Sequence, residues 1–569
     1  MRARIKALLK ATRLHHAVGA TKYAGRLALN AQFRRLELLS YSEWRAWRNA
    51  YGALLRHRLH HPGSNRRALV VGKGTVVGAQ IEIGLLKGLE LAGFVPVVLG
   101  DRSLEKHYRL AGVSEFLRWE DFANELPLAE AQAIVEPATR VEDLLGLERN
   151  GARVGKFALS TTFRSLRVGR LDFSQPGTRR MLALHLAEGL ARAAAAPRIL
   201  DAANVEVALF MGNRYTGQGE LMDAALQRGI DVLTWFDAHR SSSLMLKRYH
   251  LANRDQHHGS IGDTLWEELR AIPWTDARRR QLRAELYDNY AAGDWYSRGG
   301  TQVNKAIVDR DRLRAALNLN PAKKTAVIFP HIAWDATLFW GADLFSNYED
   351  WLVETVRAAC RNPHLNWVIK IHPAHVAKSA MERYSGEPAE MAAIREQVGH
   401  LPAHVVVIPP ETDINTYSLF PIMDYCLTVR GTIGIEAASF GIRVLTAGSG
   451  RYDRRGFTVD SASADEYLAR LATLHTIGPM PAAERELGER FAYGAFIVRP
   501  FILRSLSIDH EKDIEATTRV RINVTSADEL RDADDLNRFA AWAGDRSRED
   551  FNAPCPAIER EDREAMAVS

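Results

Sequence analysis

Two short segments carry side chains whose types and spacing suit the binding of an anionic ligand. Lys370-Ile371-His372-Pro373 closes an apolar run, and Pro373, which cannot donate to a strand ladder, fixes the turn so that His372 projects from a rigid position. Farther on, Arg430-Gly431-Thr432-Ile433-Gly434-Ile435-Glu436 combines a tight turn at Gly431 with a helix start that Thr432 can cap. Free N–H groups at a helix N-terminus attract anions, and Arg430 adds positive charge for a phosphate. Glu436, one turn in, is set to accept hydrogen bonds from ribose hydroxyls. A plainer role stands beside each: His372 as a structural histidine, Glu436 as a carboxylate near the positive end of its helix. Proton acceptors for a hydroxyl are offered by Asp335, in Pro330-His331-Ile332-Ala333-Trp334-Asp335, and by Asp237 and His239, in Phe236-Asp237-Ala238-His239-Arg240. Asp335 is favoured, because Pro330, Trp334 and Trp340 would hold it rigidly and exclude water.

These residues matter because of what precedes them. Ala68–Val71, Pro96–Leu99, Val205–Phe210 and Asp231–Trp235 read as buried strands, and helices are expected over 79–92 and 220–228. The same rhythm restarts with strands at Ala326–Phe329, Trp367–Ile371, His404–Ile408, Asp424–Val429 and Val444–Thr446, with helices over 351–360 and 433–440. Strand, turn, helix, strand implies parallel sheets, whose ligands sit beyond the carboxyl ends of the strands. The fold class expected is therefore α/β, two Rossmann-like domains facing across a cleft, with a basic helical arm. The divisions read are an arm over 1–67, a first Rossmann-like domain over 68–305 and a second over 306–485. A helical return segment over 486–525 and a charged, partly disordered tail over 526–569 follow.

The segment Lys370–Pro373, then Arg430 to Ala438, then Gly441-Ile442-Arg443-Val444-Leu445-Thr446-Ala447-Gly448, resembles the capsule polysaccharide biosynthesis family, whose members are similar to bacterial Kdo transferases. The resemblance spans roughly residues 325–460. It implies a GT-B glycosyltransferase acting for a capsule or lipopolysaccharide, with His372, Pro373, Arg430, Gly431, Thr432 and Glu436 at the nucleotide. A cytidine donor such as CMP-Kdo would be the first expectation, and a glycan or glycolipid the acceptor. A nucleotide-sugar 2-epimerase of the same fold, or a non-catalytic polysaccharide assembly protein, are the alternatives.

Composition narrows the partners. Among 569 residues the formal charge is +6, but residues 1–67 hold 15 Lys/Arg against 2 Asp/Glu, leaving 60 against 67 in the rest. The basicity belongs to the arm, so a nucleic-acid groove is not expected. Ile5, Leu8, Leu9 and Leu14 among basic residues, and Trp44, Trp47 and Tyr51 among arginines, suit an anionic inner-membrane surface through residues 1–60; the alternative is a helical prefix packed on its own domain. Three cysteines without ligand spacing fit a reducing cytoplasm, and no metal or cofactor is expected. Gly72-Lys73-Gly74-Thr75-Val76-Val77-Gly78 departs from the dinucleotide fingerprint by one residue, and Asp309-Arg310-Asp311 lies in a charged helical stretch.

Overall fold

A computed structural model describes residues 31–123, 125–212, 214–296, 301–382, 386–510 and 518–552. The basic stretch around Ile5–Leu14 and residues 553–569 of the expected tail lie outside them.

The first sheet contains β1 (Arg67–Val71), β2 (Val95–Gly100), β3 (Glu115–Arg118), β4 (Val207–Phe210), β5 (Asp231–Asp237) and β6 (Ser243–Tyr249). The second contains β7 (Thr325–Ile328), β8 (Asn366–Lys370), β9 (Val405–Ile408), β10 (Tyr425–Thr428), β11 (Arg443–Thr446) and β12 (Thr458–Asp460). β13 (Pro500–Ile502) returns to the first sheet, and β14 (Leu506–His510) pairs with β15 (Thr518–Ile522). The spatial orders are β13-β6-β5-β4-β1-β2-β3 and β12-β11-β10-β7-β8-β9. The second sheet is parallel throughout; in the first, β6 and β13 are antiparallel. Strands such as β1, β4, β7 and β8 are buried on both faces by crossover helices, which is why they read as continuous apolar runs. The architecture is GT-B-like: two Rossmann-like units across a cleft.

Chain order reverses between β1 and β4 in one sheet and between β7 and β10 in the other. At such a switch point the flanking helices diverge to opposite faces and leave a crevice at the strand ends. Both crevices open into one cleft, which places Lys73 and Met211-Gly212 opposite Phe329–His331 and Arg430–Thr432.

Three expectations need correction. The return segment is not helical throughout: after the Ala482–Tyr493 helix, Pro500 stops helical continuation and β13 joins the edge of the first sheet, where a residue without an N–H is tolerated. The tail is folded as far as residue 552. Its charges concealed the spacing of Leu536, Phe539 and Trp542 on the Asp534–Gly544 helix, all buried against the Val76–Leu91 helix, where Gly88 lacks the Cβ that would collide with Phe539. Each such side chain contributes about 1.5–3 kcal/mol by burial. Asp550 then accepts from Lys247 Nζ at 3.0 Å and the Gly262 N–H at 2.6 Å, and pairs with Arg499 at 3.1 Å. In the arm, the Ala31–Leu55 helix packs on its own domain: Trp47 is buried and donates to the Val520 carbonyl at 3.2 Å, and Trp44 donates to the Lys106 carbonyl at 3.3 Å. The Trp47 indole is therefore not available to a membrane. No helix among the described residues is long and apolar enough to cross one.

Candidate functional site

The cleft encloses about 870 Å³. Its lining includes seven Lys/Arg side chains and three carboxylates, Asp237, Asp335 and Glu436. That imbalance favours an anion of several charges.

His372 lies just past the end of β8, and its Nδ1 accepts the Ala374 N–H at 3.2 Å, closing the start of the Ala374–Glu382 helix. Accepting at Nδ1 leaves the proton of the neutral ring on Nε2. Burial, reinforced by His375 and Lys378 nearby, holds the ring well below the usual histidine range. The structural and the ligand-facing roles therefore coexist in one side chain. Lys370, on the same strand, is buried, donates to the Ile371 carbonyl at 3.1 Å, and is brought down to about 7 by burial and by Lys305.

After β10, Gly431 rather than Thr432 is the N-cap of the Thr432–Ser439 helix, and Thr428 Oγ1 accepts the Gly431 N–H at 3.1 Å. Thr432 is the first helical residue, so its hydroxyl does not cap. Glu436 faces the cleft but is 2% exposed, and accepts from the Tyr290 hydroxyl. Burial raises it to about 7, against the lowering pull of Tyr290, Arg451 and the Trp295 indole. Tyr290 and Trp295 stack with ring centres 4.9 Å apart.

Arg430 takes a different part from the one expected. Its guanidinium turns away from the helix start, pairs with Asp343 and donates to the carbonyls of Phe339 and Ala342, the latter at 3.2 Å. It anchors the 339–343 loop, which Gly450 lets approach because a Cβ there would collide with the Trp340 carbonyl. The Arg430 N–H donates to His331 Nε2 at 3.2 Å. Burial, with Arg430 and Arg451 near, depresses His331 to about 3, so it stays a neutral acceptor.

Asp335 projects into the cleft between both halves. Its Oδ1 accepts from the Tyr215 hydroxyl at 2.5 Å and Arg164 at 3.3 Å, and its Oδ2 from Lys378 at 2.5 Å. Burial alone would raise this carboxyl, but Lys378, Arg214 and Arg164 overcome it and hold it far below the usual carboxylate range. Asp237 ends β5 and lines the opposite wall. His239 does not line the cleft: it is 1% exposed, with Nε2 2.7 Å from Glu285 and its ring against Trp295 and Phe496. The chain turns after Asp237 into β6 and carries His239 behind the wall.

Several lining residues had no signal in the sequence. His257 and His258 stack 4.0 Å apart, His258 also on Phe236 at 3.9 Å, and Trp340 from the other half closes over His257 at 4.9 Å. Arg164 comes from the Val154–Leu166 helix and Lys378 from the Ala374–Glu382 helix, neither placed by a strand end.

No protein-family model matches the chain, and no curated protein does. Among solved structures it is similar to a KpsC beta Kdo 2,4 transferase from Thermosulfurimonas dismutans, at 18% identity over 52% of this chain and 80% of that one, with a TM-score of 0.32. It is similar to the beta Kdo 2,7 transferase of KpsC from the same organism, at 14% over 57% and 85%, TM-score 0.32. It is also similar to a UDP-GlcNAc 2-epimerase from Neisseria meningitidis bound to UDP-GlcNAc, at 13% over 75% and 96%, TM-score 0.26. The likeness is distant and one of fold, shared by transferases and epimerases alike.

Proposed function

We propose that the protein is a glycosyltransferase that takes a sugar from a nucleotide donor, with a CMP-sugar such as CMP-Kdo as first candidate, for a growing surface glycan. The observation that carries this reading is the cleft at two facing switch points, lined by seven basic side chains and three carboxylates. A nucleotide phosphate needs such a surplus of donors, and the second sheet supplies the contacts for its nucleoside. In this reading His372 donates through Nε2 to a phosphate, the N-terminus of the Thr432–Ser439 helix faces the same group, and Glu436 meets the ribose beside Arg451. Arg430 acts by fixing the loop that carries Asp343.

Transfer requires a base at the acceptor hydroxyl as cation-like character develops on the sugar. Asp335 is assigned that part: it stands between the halves, where donor and acceptor must meet, and Tyr215, Arg164 and Lys378 hold it in place. Asp237, on the first-half wall, is the competitor.

The test is a thermal-shift panel of CMP, CDP, UDP and GDP. A nucleotide at a hundred times its dissociation constant adds about 2.7 kcal/mol. One nucleotide should raise the melting temperature by several degrees in the full chain, and less in Glu436→Gln. No shift with any nucleotide would overturn the reading.

A further inference from the structure

We propose that Arg164, Arg214, Lys378 and the Tyr215 hydroxyl form an oxyanion subsite that the free protein fills with its own Asp335 carboxylate, and that a phosphate or carboxylate of the substrate displaces Asp335 from it. The donors arrive from three places: the Val154–Leu166 helix, the loop after β4, which gives both Arg214 and Tyr215, and across the cleft the Ala374–Glu382 helix. Lys378 and Tyr215 each approach Asp335 to 2.5 Å and Arg164 to 3.3 Å. The Tyr215 oxygen also accepts from Arg164 at 3.3 Å and from the Ala336 N–H at 3.0 Å, so its own proton is directed at the carboxylate. Arg214 lies over the Trp340 ring at 5.2 Å and the Phe236 ring at 5.4 Å, and its buried Nε has no hydrogen-bond partner among the described residues.

Two cations and a hydroxyl therefore bond one carboxylate, with a third cation, Arg214, over the Tyr215 ring, and every group bonded to it is a donor. A tetrahedral phosphate offers more oxygens to the same set, and Arg and Lys recognise it by the same contacts that now hold Asp335. The carboxylate sits on a segment whose backbone is sustained by its surroundings: Ala336, Leu338 and Trp340 have φ of 56°, 77° and 78°, a region that side chains rarely adopt. Its anchors to the second half are separate, through Arg430 and Ser449, so Asp335 can leave its donors while the rest of the loop stays. Resting on the transferase reading, this keeps the base engaged until an anionic donor arrives.

The experiment is calorimetric titration of the full-length protein with inorganic phosphate, and separately with lactate as a simple carboxylate. Asp335→Asn removes the internal competitor and should bind one of these anions about tenfold more tightly than the wild type, a ~1.4 kcal/mol change. Lys378→Gln should bind it more weakly than the wild type. Tightening by phosphate assigns the subsite to a phosphate, and tightening by lactate to a sugar carboxylate. Unchanged or weaker affinity of a folded Asp335→Asn for both anions overturns the proposal, as does wild-type affinity in Lys378→Gln. Neither titration uses donor or acceptor. Loss of transfer in Asp335→Asn without tighter anion binding would keep the base and remove the subsite; tighter anion binding in a protein that binds no nucleotide would keep the subsite and remove the transferase.

Discussion

The two walls of the cleft are built by different means. On the second-half wall, His331, His372 and Arg430 lie two or three residues past a strand end and Glu436 on the helix that follows β10, and each lines the cleft because β7, β8 and β10 point there. On the first-half wall, Arg164 comes from a helix face, His257 and His258 from the loop after β6, and Tyr290 and Trp295 from the connection between the halves. The first kind of wall fixes a ligand by local geometry. The second adds to its strand-end groups, Arg214, Tyr215 and Asp237, others whose place depends on how helices and loops pack over the cleft.

Arg430 offers the largest expected effect and the sharpest test of that contrast. Arg430→Met leaves a partly exposed Asp343 without its cation and takes the donor from two loop carbonyls; breaking a fully buried pair costs about 3–5 kcal/mol, which is the upper bound here. The melting temperature should fall by many degrees, while nucleotide affinity measured below the transition changes little. A stable variant with lost nucleotide affinity would return Arg430 to direct phosphate binding.

Glu436 probes the same wall by pH. Its carboxyl is raised from 4.5 to about 7 in the folded protein, so the native state holds its proton more tightly than the unfolded chain does. Stability relative to Glu436→Gln should fall as pH rises from about 4.5 to 7 and level off above, by up to roughly 3 kcal/mol. Glu82 and Glu220, both raised to about 8 by burial, remain in both proteins and cancel in the difference. Chemical denaturation across that range checks it, and parallel curves would mean that Glu436 is ionised in the folded state.

The central strands of both sheets were legible in the sequence because short apolar runs bounded by Gly, Pro and polar residues have few other uses. β3, β6 and β13 were not: β3 is only half-buried, β6 carries Lys247 and Arg248 buried by partners 300 residues away, and β13 opens on a proline. Among the residues that line the cleft, those one or two past a strand end were legible, since the sheet alone aims them. Of the donors around Asp335, Arg164 and Lys378 were not, because they sit on helices whose orientation depends on the packing of the whole domain. Arg430 was found for its position and given the wrong partner, since only the fold brings Asp343 beneath it.

The remaining predictions concern the first wall and the arm. Asp335→Asn is nearly isosteric, and transfer should fall by about a hundredfold, the usual scale for a lost general base. Steady-state assays of Asp237→Asn beside it decide between the walls: if that variant is the inactive one, the base belongs to the first half. The smallest effect is expected from deleting residues 1–30, which keeps the packed Ala31–Leu55 helix. Sedimentation with anionic liposomes should weaken and become less salt-sensitive, while turnover of a soluble acceptor is unchanged. Liposome binding indifferent to the deletion would end the membrane role of the arm.

The central claim is that a nucleotide-sugar is cleaved here and its sugar passed on. Phosphorus NMR of the full-length protein with a panel of nucleotide-sugars, CMP-Kdo among them, and a lipopolysaccharide or capsule extract as acceptor follows this directly. Free nucleotide should accumulate with one donor, dependent on the acceptor and abolished in Asp335→Asn. A donor that keeps its nucleotide while its sugar is inverted at C2 would contradict it and make the protein an epimerase.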